Sequence, residues 1–311
     1  MKNKKILILI VLLTVFLTGC TKYITDDNNK RIINESTGQS LASNILCKPT
    51  NKELKAIYEN YNEKLDVSLE KLPDCKNLKF YNSENYNGLW VQLIVMPLAW
   101  LIIRIGNFVG NYGLSVMLVG LLIRLLLLPF SRKALKQSES MKKIQPEMQR
   151  LEKKYEGRTD QESQMLKSKE MMAIYKKHNV SPMGSCLITF IQLPIFFGFL
   201  EAINRIPAIF EGYLGAYQLG TTPLIGLKSG NYYYIILILL IMLTTYLSFR
   251  FGMNNTVGSP DQQRQTKMMT SFMLIFITIA SFSLPTAIAL YWVVTNGFSV
   301  IQNLLMKRGN K

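Results

Sequence analysis

The sequence predicts an all-α, polytopic membrane protein, and three observations support this fold class. Of the 311 residues, 49% are hydrophobic. These residues are gathered in long blocks that a water-soluble core could not bury, and such blocks are typical of transmembrane helices. The net charge is +16, and most of it lies between the blocks. We therefore expect membrane-spanning helices whose basic connections reflect topology rather than a nucleic-acid surface.

Five apolar blocks have about the length that a spanning helix needs, roughly 20 residues. The fourth is short, and only a tight turn separates it from the fifth. The predicted transmembrane helices are residues 111–131, 182–203, 231–250, 267–282 and 285–306.

A further apolar stretch, residues 89–110, precedes the first predicted span. Pro97 and Arg104 interrupt it, and Trp90 and Trp100 are of a residue type found at membrane interfaces. We expect an amphipathic helix that lies on the outer membrane surface.

The distribution of charge predicts the orientation. Residues 132–181 contain thirteen basic residues and seven acids, and the tail at 307–311 contains three basic residues. The loop at 251–266, counted with its flanking Arg250 and Lys267, has three basic residues and one acid. The positive-inside rule places all three segments in the cytoplasm. Five spans then require an amino terminus outside and a carboxyl terminus inside.

The amino terminus has the pattern of a secretory signal, predicted at residues 1–19. Three lysines precede a short apolar run that ends in Leu17-Thr18-Gly19-Cys20. This ending resembles the bacterial lipobox, which implies cleavage before Cys20 and a covalent lipid on its sulfur. Several acyl chains hold a terminus firmly on a membrane. The alternative is an uncleaved signal anchor with an incidental cysteine.

Two segments are predicted to be extracytoplasmic, residues 20–88 and the loop at 204–230. The first is polar, with basic residues balanced by acids, and an exported segment permits a disulfide between Cys47 and Cys75. Whether the two cysteines pair stays open at this stage. We expect a small helical cap, because four apolar residues have helical spacing, namely Leu54, Ile57, Tyr61 and Leu65.

The cytoplasmic segment at 132–181 is predicted to form an antiparallel helical hairpin. Gly157 ends the first helix, and Thr159 with Glu162 has the spacing of a capping box that opens the second. The alternative is a solvated linker. The predicted seam of the first helix is Met141, Ile144, Met148, Leu151 and Tyr155, and that of the second is Met165, Met172 and Tyr175.

These residues resemble the YidC/Oxa/Alb family of membrane protein insertases, over roughly residues 89–307. The most specific stretches are NYGLSVMLVGLLIRLLLLPFSRKALKQSESMKKIQPEMQRLEKKY, CLITFIQLPIFFGFL and LYWVVTNGFSVIQN. With the lipobox, they are similar to the lipoprotein form of Gram-positive bacteria. Two segments depart from the commonest pattern, SPMGSCL and MNNTVGSPDQQ, which leaves open the partners that these loops select.

The resemblance implies that the five helices enclose a hydrophilic groove, open to cytoplasm and lipid and closed on the outside. It places Arg124 at the position of the groove arginine, while the stripe of Leu118, Leu121, Leu125 and Leu128 forms an apolar contact on another face. A charge at this depth costs roughly 2.5–3.5 kcal/mol on insertion scales. The alternative role for Arg124 is to bond carbonyls at a helix kink.

The predicted client-binding groove contains mainly polar residues of the spans. Each isolated amide or hydroxyl has an alternative role, because such groups often bond a neighbouring helix. The candidate groove residues are Arg124, Gln192, Thr244, Thr245, Trp292 and Asn296.

The expected function is that of a non-enzymatic insertase and chaperone for the insertion, folding and assembly of membrane proteins, with or beside the Sec translocase. We expect no catalytic residue, no metal and no cofactor beyond the lipid on Cys20. The expected partners are nascent membrane proteins and membrane lipid, with the Sec translocase and the ribosome as further candidates and no sequence-specific nucleic-acid binding. The expected location is the bacterial cell membrane.

Two other classes of function have less support. An ion-coupled transporter usually carries acids or histidines in its spans, but the only acid here is Glu201, at an outer edge, and the only histidine is His178, in a basic segment. An intramembrane enzyme would need a catalytic motif, and the common metalloprotease, hydrolase and phosphate-binding motifs are absent from the sequence.

Overall fold

The computed structural model describes residues 21–80, 88–180, 184–253 and 260–309. The predicted signal peptide and Cys20 lie outside the described residues. The chain divides into two compact units. The first comprises the described residues of Met1–Leu122, Leu193–Ile241 and Ala280–Thr295, and the second those of Ile123–Gln192, Met242–Ile279 and Asn296–Lys311.

The described chain is mainly helical and has several apolar helices, so the predicted class is confirmed at that level. A π-helical turn at Val91–Val95 leads into α2, and two short strands, β1 Tyr213–Leu214 and β2 Tyr217–Gln218, form an antiparallel hairpin. The helices are α1 Lys52–Asn60, α2 Met96–Val109, α3 Tyr112–Leu126, α4 Leu128–Lys154, α5 Gln161–Lys177, α6 Gly184–Asn204, α7 Pro207–Phe210, α8 Pro223–Lys228, α9 Tyr234–Met253, α10 Pro260–Ser283 and α11 Thr286–Gly309.

Three helical stretches among the described residues are long and apolar enough to cross a membrane: Val91–Val109, Tyr234–Phe251 and Thr286–Met306. Shorter apolar helices occupy Tyr112–Leu126, Pro194–Asn204 and Lys267–Ser283. Each of the five predicted spans therefore falls on an apolar helix. The stretch predicted to lie on the surface, 89–110, is apolar enough to span as well.

The first predicted span is interrupted near its carboxyl-terminal end. α3 ends at Leu126, and α4 begins at Leu128 with Pro129 in its first turn. Proline is tolerated there because the first amide groups of a helix have no intrahelical acceptor. Residues 128–131 thus belong to the same helix as the first arm of the hairpin.

Large apolar side chains are exposed on α9 and α10, two helices that coincide largely with the third and fourth predicted spans. Soluble proteins rarely expose contiguous apolar surfaces of this kind. These faces suit contact with lipid. The exposed residues include Ile236, Leu239 and Leu243 on α9, and Met269, Phe272, Phe276 and Ile279 on α10.

The polar segment that begins the first unit is folded but mostly irregular. Isolated antiparallel bridges join Tyr23 to Ala42 and Ile33 to Ser40. Cys47 and Cys75 form a disulfide, which settles the question that the sequence left open. The predicted helical cap is therefore wrong for most of this segment, because backbone bridges and the disulfide organise it instead.

α1 is the part of the cap that does form as predicted. The side chain of Asn51 accepts a hydrogen bond from the backbone N–H of Leu54 at 3.1 Å and caps the helix. Leu54 and Tyr58, one turn apart, are buried. The predicted continuation to Leu65 fails, because the helix ends at Asn60 and a 3₁₀ turn follows.

The segment at 204–230 is more than a connecting loop. It contains α7, the β1–β2 hairpin and α8, and it bonds to the preceding polar segment through the backbone. Leu46 N–H donates to the Arg205 carbonyl at 2.8 Å, and Thr222 N–H donates to the Thr37 carbonyl at 3.2 Å. Residues far apart in the chain thus form one folded region of the first unit.

The second unit contains the predicted helical hairpin, formed by α4 and α5. The first seam is confirmed, since Ile144, Met148, Leu151 and Tyr155 are buried and Met141 packs against them. The second seam is wrong for Met165 and Met172, which are 69% and 64% exposed. The prediction is confirmed for Tyr175, which packs against the Ile144 and Met148 cluster together with Met171 and Ile174.

The start of α5 also differs from the prediction. Asp160 rather than Thr159 is the N-cap, and its carboxylate accepts from the backbone N–H of Ser163 at 2.8 Å. This hydrogen bond lowers the pKa of Asp160.

Candidate functional site

Arg124 lies in the last turn of α3 and belongs to the second unit. Its side chain is half-buried. The Nε atom is buried without a hydrogen bond, although the residue makes other interactions. The sixteen residues around it, 116–123 and 125–132, contain no acid.

The four leucines of the predicted stripe near Arg124 are exposed or half-buried. Leu118 and Leu125 are exposed, whereas Ser115, Val116 and Val119 are buried. Small residues decide which face packs, because they allow helices to approach closely. A Cβ atom on Gly120 would lie only 2.9 Å from the Tyr291 ring of α11.

Two predicted groove residues are in direct contact. Asn296 Nδ2 donates to Thr245 Oγ1 at 3.0 Å, which joins α11 to α9 within the second unit. Thr245 is buried and Asn296 is half-buried. The alternative role, a hydrogen bond between neighbouring helices, therefore applies to this pair. Gln302 makes a similar bond to the Ser131 hydroxyl at 2.9 Å.

The other predicted groove residues are Thr244, Trp292 and Gln192. Thr244 is half-buried beside Thr245. Trp292 belongs to the first unit, where its ring meets that of Phe196 edge-on at 5.4 Å. The side chain of Gln192 lies outside the described residues.

A buried charge network in the first unit was missed at the sequence level. Arg205 Nη1 donates to Glu201 Oε1 at 2.8 Å, and Trp90 Nε1 donates to Glu201 Oε2 at 2.8 Å. Arg205 Nε donates to the Asn44 carbonyl at 2.6 Å. The Glu201 and Arg205 side chains are only 5% and 1% exposed.

The network has a structural explanation. Both carboxylate oxygens of Glu201 accept hydrogen bonds, which offsets part of the cost of burying charge. Trp90, whose indole N–H donates to this carboxylate, is itself buried within the first unit. The spacing of four residues between Glu201 and Arg205 was a usable signal for a helical ion pair.

Two charged contacts join the arms of the hairpin. Lys154 Nζ and the Tyr155 hydroxyl both donate to Glu170 Oε1, at 2.6 and 2.8 Å. The hydrogen bond from Lys154 lowers the pKa of Glu170, and the bond to Glu170 raises the pKa of Tyr155. Nearer the open end, Lys177 and His178 contact Glu147. The bond with His178 lowers the pKa of Glu147.

Among the described residues, no three histidine, cysteine, aspartate or glutamate side chains form a group that could hold a metal ion. The polar contacts described above are hydrogen bonds and ion pairs.

Comparison with known proteins supplies the family. The family model described as "60Kd inner membrane protein" matches residues 104–311. Membrane protein insertase MisCA of Bacillus subtilis is 37% identical over 237 residues, which cover 76% of this chain and 86% of the relative. Membrane protein insertase YidC of Oceanobacillus iheyensis is 34% identical over 242 residues, covering 76% and 91%.

Among solved structures, the chain is similar to one titled "Active YidC insertase crystal structure with the first transmembrane domain resolved". The two are 22% identical with a TM-score of 0.46, and the match covers 72% of this chain and 48% of the other. Because the family model spans most of the chain and relatives above 30% identity match most of its length, the chain belongs to the 60Kd inner membrane protein family, together with membrane protein insertases of the YidC type.

Proposed function

We propose that this chain inserts proteins into the cell membrane and assists their folding and assembly, the activity for which its relatives are named. The observation that carries the proposal is Arg124, a half-buried arginine on an apolar helix of a chain from this family. An ionisable residue at membrane depth marks a functional site by default.

The proposed mechanism is electrostatic. Arg124 would face a hydrophilic groove and attract the acidic or polar tail of a client that must cross the membrane. At an effective dielectric constant of about 20, two unit charges about 10 Å apart attract by about 1.7 kcal/mol. The tail held partway across would then have a shorter hydrocarbon layer left to pass. Thr244 and Gln192, which belong to the same unit as Arg124, are further candidates to line this groove.

The decisive experiment is insertion into liposomes that contain only the purified protein and no ATP. The client is a single-span protein made with either an acidic or a neutral outer tail. Replacing Arg124 by alanine should lower insertion of the acidic-tailed client on the order of tenfold, whereas Arg124→Lys should retain much of it. Arg104→Ala, which removes an exposed arginine from α2, is the matched control. Equal insertion by the alanine and lysine variants at matched protein amounts would exclude this role for the charge.

The proposed topology has five spans, with the amino terminus outside and the carboxyl terminus in the cytoplasm. Residues 89–110 would lie at the outer interface. A cysteine at position 104, in a Cys186→Ser background, should then react with a membrane-impermeant maleimide in intact cells. Leu240→Cys, within the predicted third span, is the control that should not react. Protection of position 104 would instead favour a sixth span.

Lipid anchoring is the second part of the proposed location. Its support is the lipobox-like sequence that ends at Cys20. Mass spectrometry of the membrane-bound protein should find an acylated terminus at this cysteine, and Cys20→Ser should block cleavage. A chain that retains Met1 to Gly19 would contradict the proposal.

The hairpin is proposed to act as a basic arm that collects nascent membrane proteins, alone or beside the Sec translocase and ribosome. Its support is the excess of basic residues in 132–181 and the folded seam. Deleting residues 142–176 should leave the protein in the membrane but reduce insertion. Unchanged insertion after the deletion would mean that the arm only connects the first and second predicted spans.

An ion-coupled transporter has no comparable support. The acid that such a mechanism would use, Glu201, is committed to a buried ion pair with Arg205 and a hydrogen bond from Trp90.

A further inference from the structure

Besides the Glu201–Arg205 network, the first unit contains a polar cavity of about 400 Å³. Three parts of the chain line it: residues 34–37, the start of α1, and residues between Phe210 and Tyr234. The volume lies within the range of roughly 300–1,000 Å³ that small-molecule sites occupy. None of the predicted groove residues lines this cavity.

The lining of the cavity is acidic, whereas the whole chain has a net positive charge. Glu53 and Glu211 contribute two carboxylates, and none of the described residues that line the cavity is a lysine, arginine or histidine. The whole sequence has 36 lysines and arginines against 20 acids, so an acidic lining is a local departure. A concave site with carboxylates of one sign raises the local concentration of cations.

One of the two carboxylates is held in place by the fold. Glu211 accepts hydrogen bonds from the backbone N–H of Thr50, at 2.7 Å, and from the Thr50 hydroxyl. Glu53, in the first turn of α1, is exposed and forms no ion pair or hydrogen bond with another described side chain. The cavity therefore has one fixed carboxylate and one that is accessible to a ligand.

Tyrosine rings form the apolar part of the lining. Tyr213 is 60% exposed, and Tyr233 packs edge-on against Tyr217 at 5.2 Å. The Tyr233 hydroxyl donates to the Ala216 carbonyl at 3.0 Å, which fixes the orientation of the ring. Tyrosine faces attract ammonium and guanidinium groups by about 0.5–1 kcal/mol at exposed sites.

We propose that this cavity binds a lysine or arginine side chain carried by an extended peptide segment. The carboxylates and rings select the cation. The amides of Asn34 and Asn231, which also line the cavity, are suited to peptide groups on either side of it. A neutral saccharide would use the same amides but would gain nothing from the net charge of the lining. The proposal is independent of the insertase function and of Arg124.

The test is saturation-transfer NMR on the full-length protein in detergent, with three probes. These are acetyl-Ser-Lys-Ser-amide, acetyl-Ser-Gln-Ser-amide and maltotriose. The lysine peptide should bind at least roughly threefold more tightly than the glutamine peptide, and added salt should weaken only the former. Binding of maltotriose without the lysine peptide, equal binding of both peptides, or no binding of any probe would overturn the proposal.

Two matched variants locate the site. Glu53→Gln should weaken binding of the lysine peptide roughly threefold to tenfold. Glu59→Gln, on the same helix but outside this cavity, should leave it unchanged. Both residues are exposed, so neither change should affect folding. An equal effect of the two substitutions would show that the peptide binds elsewhere.

Discussion

The two units hold an arginine in contrasting ways. In the first unit, Arg205 is 1% exposed and paired with Glu201, one helical turn earlier. In the second, Arg124 is half-buried, and the sequence offers no acid within eight residues on either side. The contrast teaches that an arginine bonded to an acid one turn away is a structural element, whereas Arg124, which has no acid among its neighbours along the chain, is a candidate for contact with a client.

The same contrast extends to the other polar groups of the two units. In the first unit, Trp90 and the Asn44 carbonyl bond the ion pair through buried contacts. In the second, the charged contacts of the hairpin are exposed and join two helices at their surfaces. Exposed pairs contribute little to stability, whereas breaking a buried pair leaves an uncompensated charge. Substitutions should therefore affect the units to very different degrees.

The largest effect is expected for Arg205→Met. It leaves the Glu201 carboxylate buried without its cation, which typically costs about 3–5 kcal/mol. Thermal unfolding in detergent measures the loss. Lys55→Met, which removes an exposed partner of Glu59, is the control and should change stability by less than about 1 kcal/mol. If Arg205→Met is as stable as this control, the buried pair does not organise the first unit.

A double change of both partners sharpens the same test. Glu201→Leu combined with Arg205→Met removes both charges, and replacing a buried pair by apolar residues is often neutral or stabilising. The double variant should therefore be more stable than Arg205→Met alone. A further loss would mean that the hydrogen bonds to Trp90 and Asn44 matter more than the charges.

Loss of the disulfide is expected to have the next largest effect. Cys47 and Cys75 are separated by 28 residues, and opening a loop of this size typically costs about 2–4 kcal/mol. Replacing both cysteines by alanine should increase proteolysis within residues 21–80 before the hairpin is cleaved. Simultaneous cleavage of both regions would show that the disulfide does not act locally.

The interhelical hydrogen bond of the second unit should contribute less. In membranes such bonds average about 0.6 kcal/mol and reach about 1.7 kcal/mol. A double-mutant cycle with Thr245→Val and Asn296→Leu measures the coupling between the two side chains. Insertion should fall only in proportion to stability if the pair is structural. A loss of insertion at unchanged stability would instead indicate that Asn296 and Thr245 line the client-binding groove.

The smallest effect is expected from pH at the hairpin. The bond from Lys154 holds the pKa of Glu170 below its ordinary value in the folded state. The contact therefore stabilises the hairpin above the ordinary glutamate pKa, about 4.3, and this stability is lost as the pH falls through the folded value. Hydrogen exchange of the full chain should show α5 opening more at acid pH. Glu170→Gln should remove that dependence, and an unchanged dependence would point to Glu147 instead.

Sequence patterns predicted the elements that depend on neighbouring residues. The seam of Ile144, Met148 and Leu151 was readable because its apolar residues recur at helical spacing in a polar segment. The opposite seam was not, because exposed methionines such as Met165 have the same helical spacing as the methionine that packs, Met171.

The sequence by itself determined the positions of the apolar helices and of the charged hairpin, since each depends on composition and periodicity along short stretches of chain. It also indicated the family, through stretches of residues that resemble it. Only the tertiary structure decided which distant groups meet. Arg205 bonds the Asn44 carbonyl across 161 positions, and Trp90 bonds Glu201 across 111. The physical reason is that helical periodicity is a local property, whereas a buried polar group must find its partner wherever the folded chain brings one within hydrogen-bonding distance.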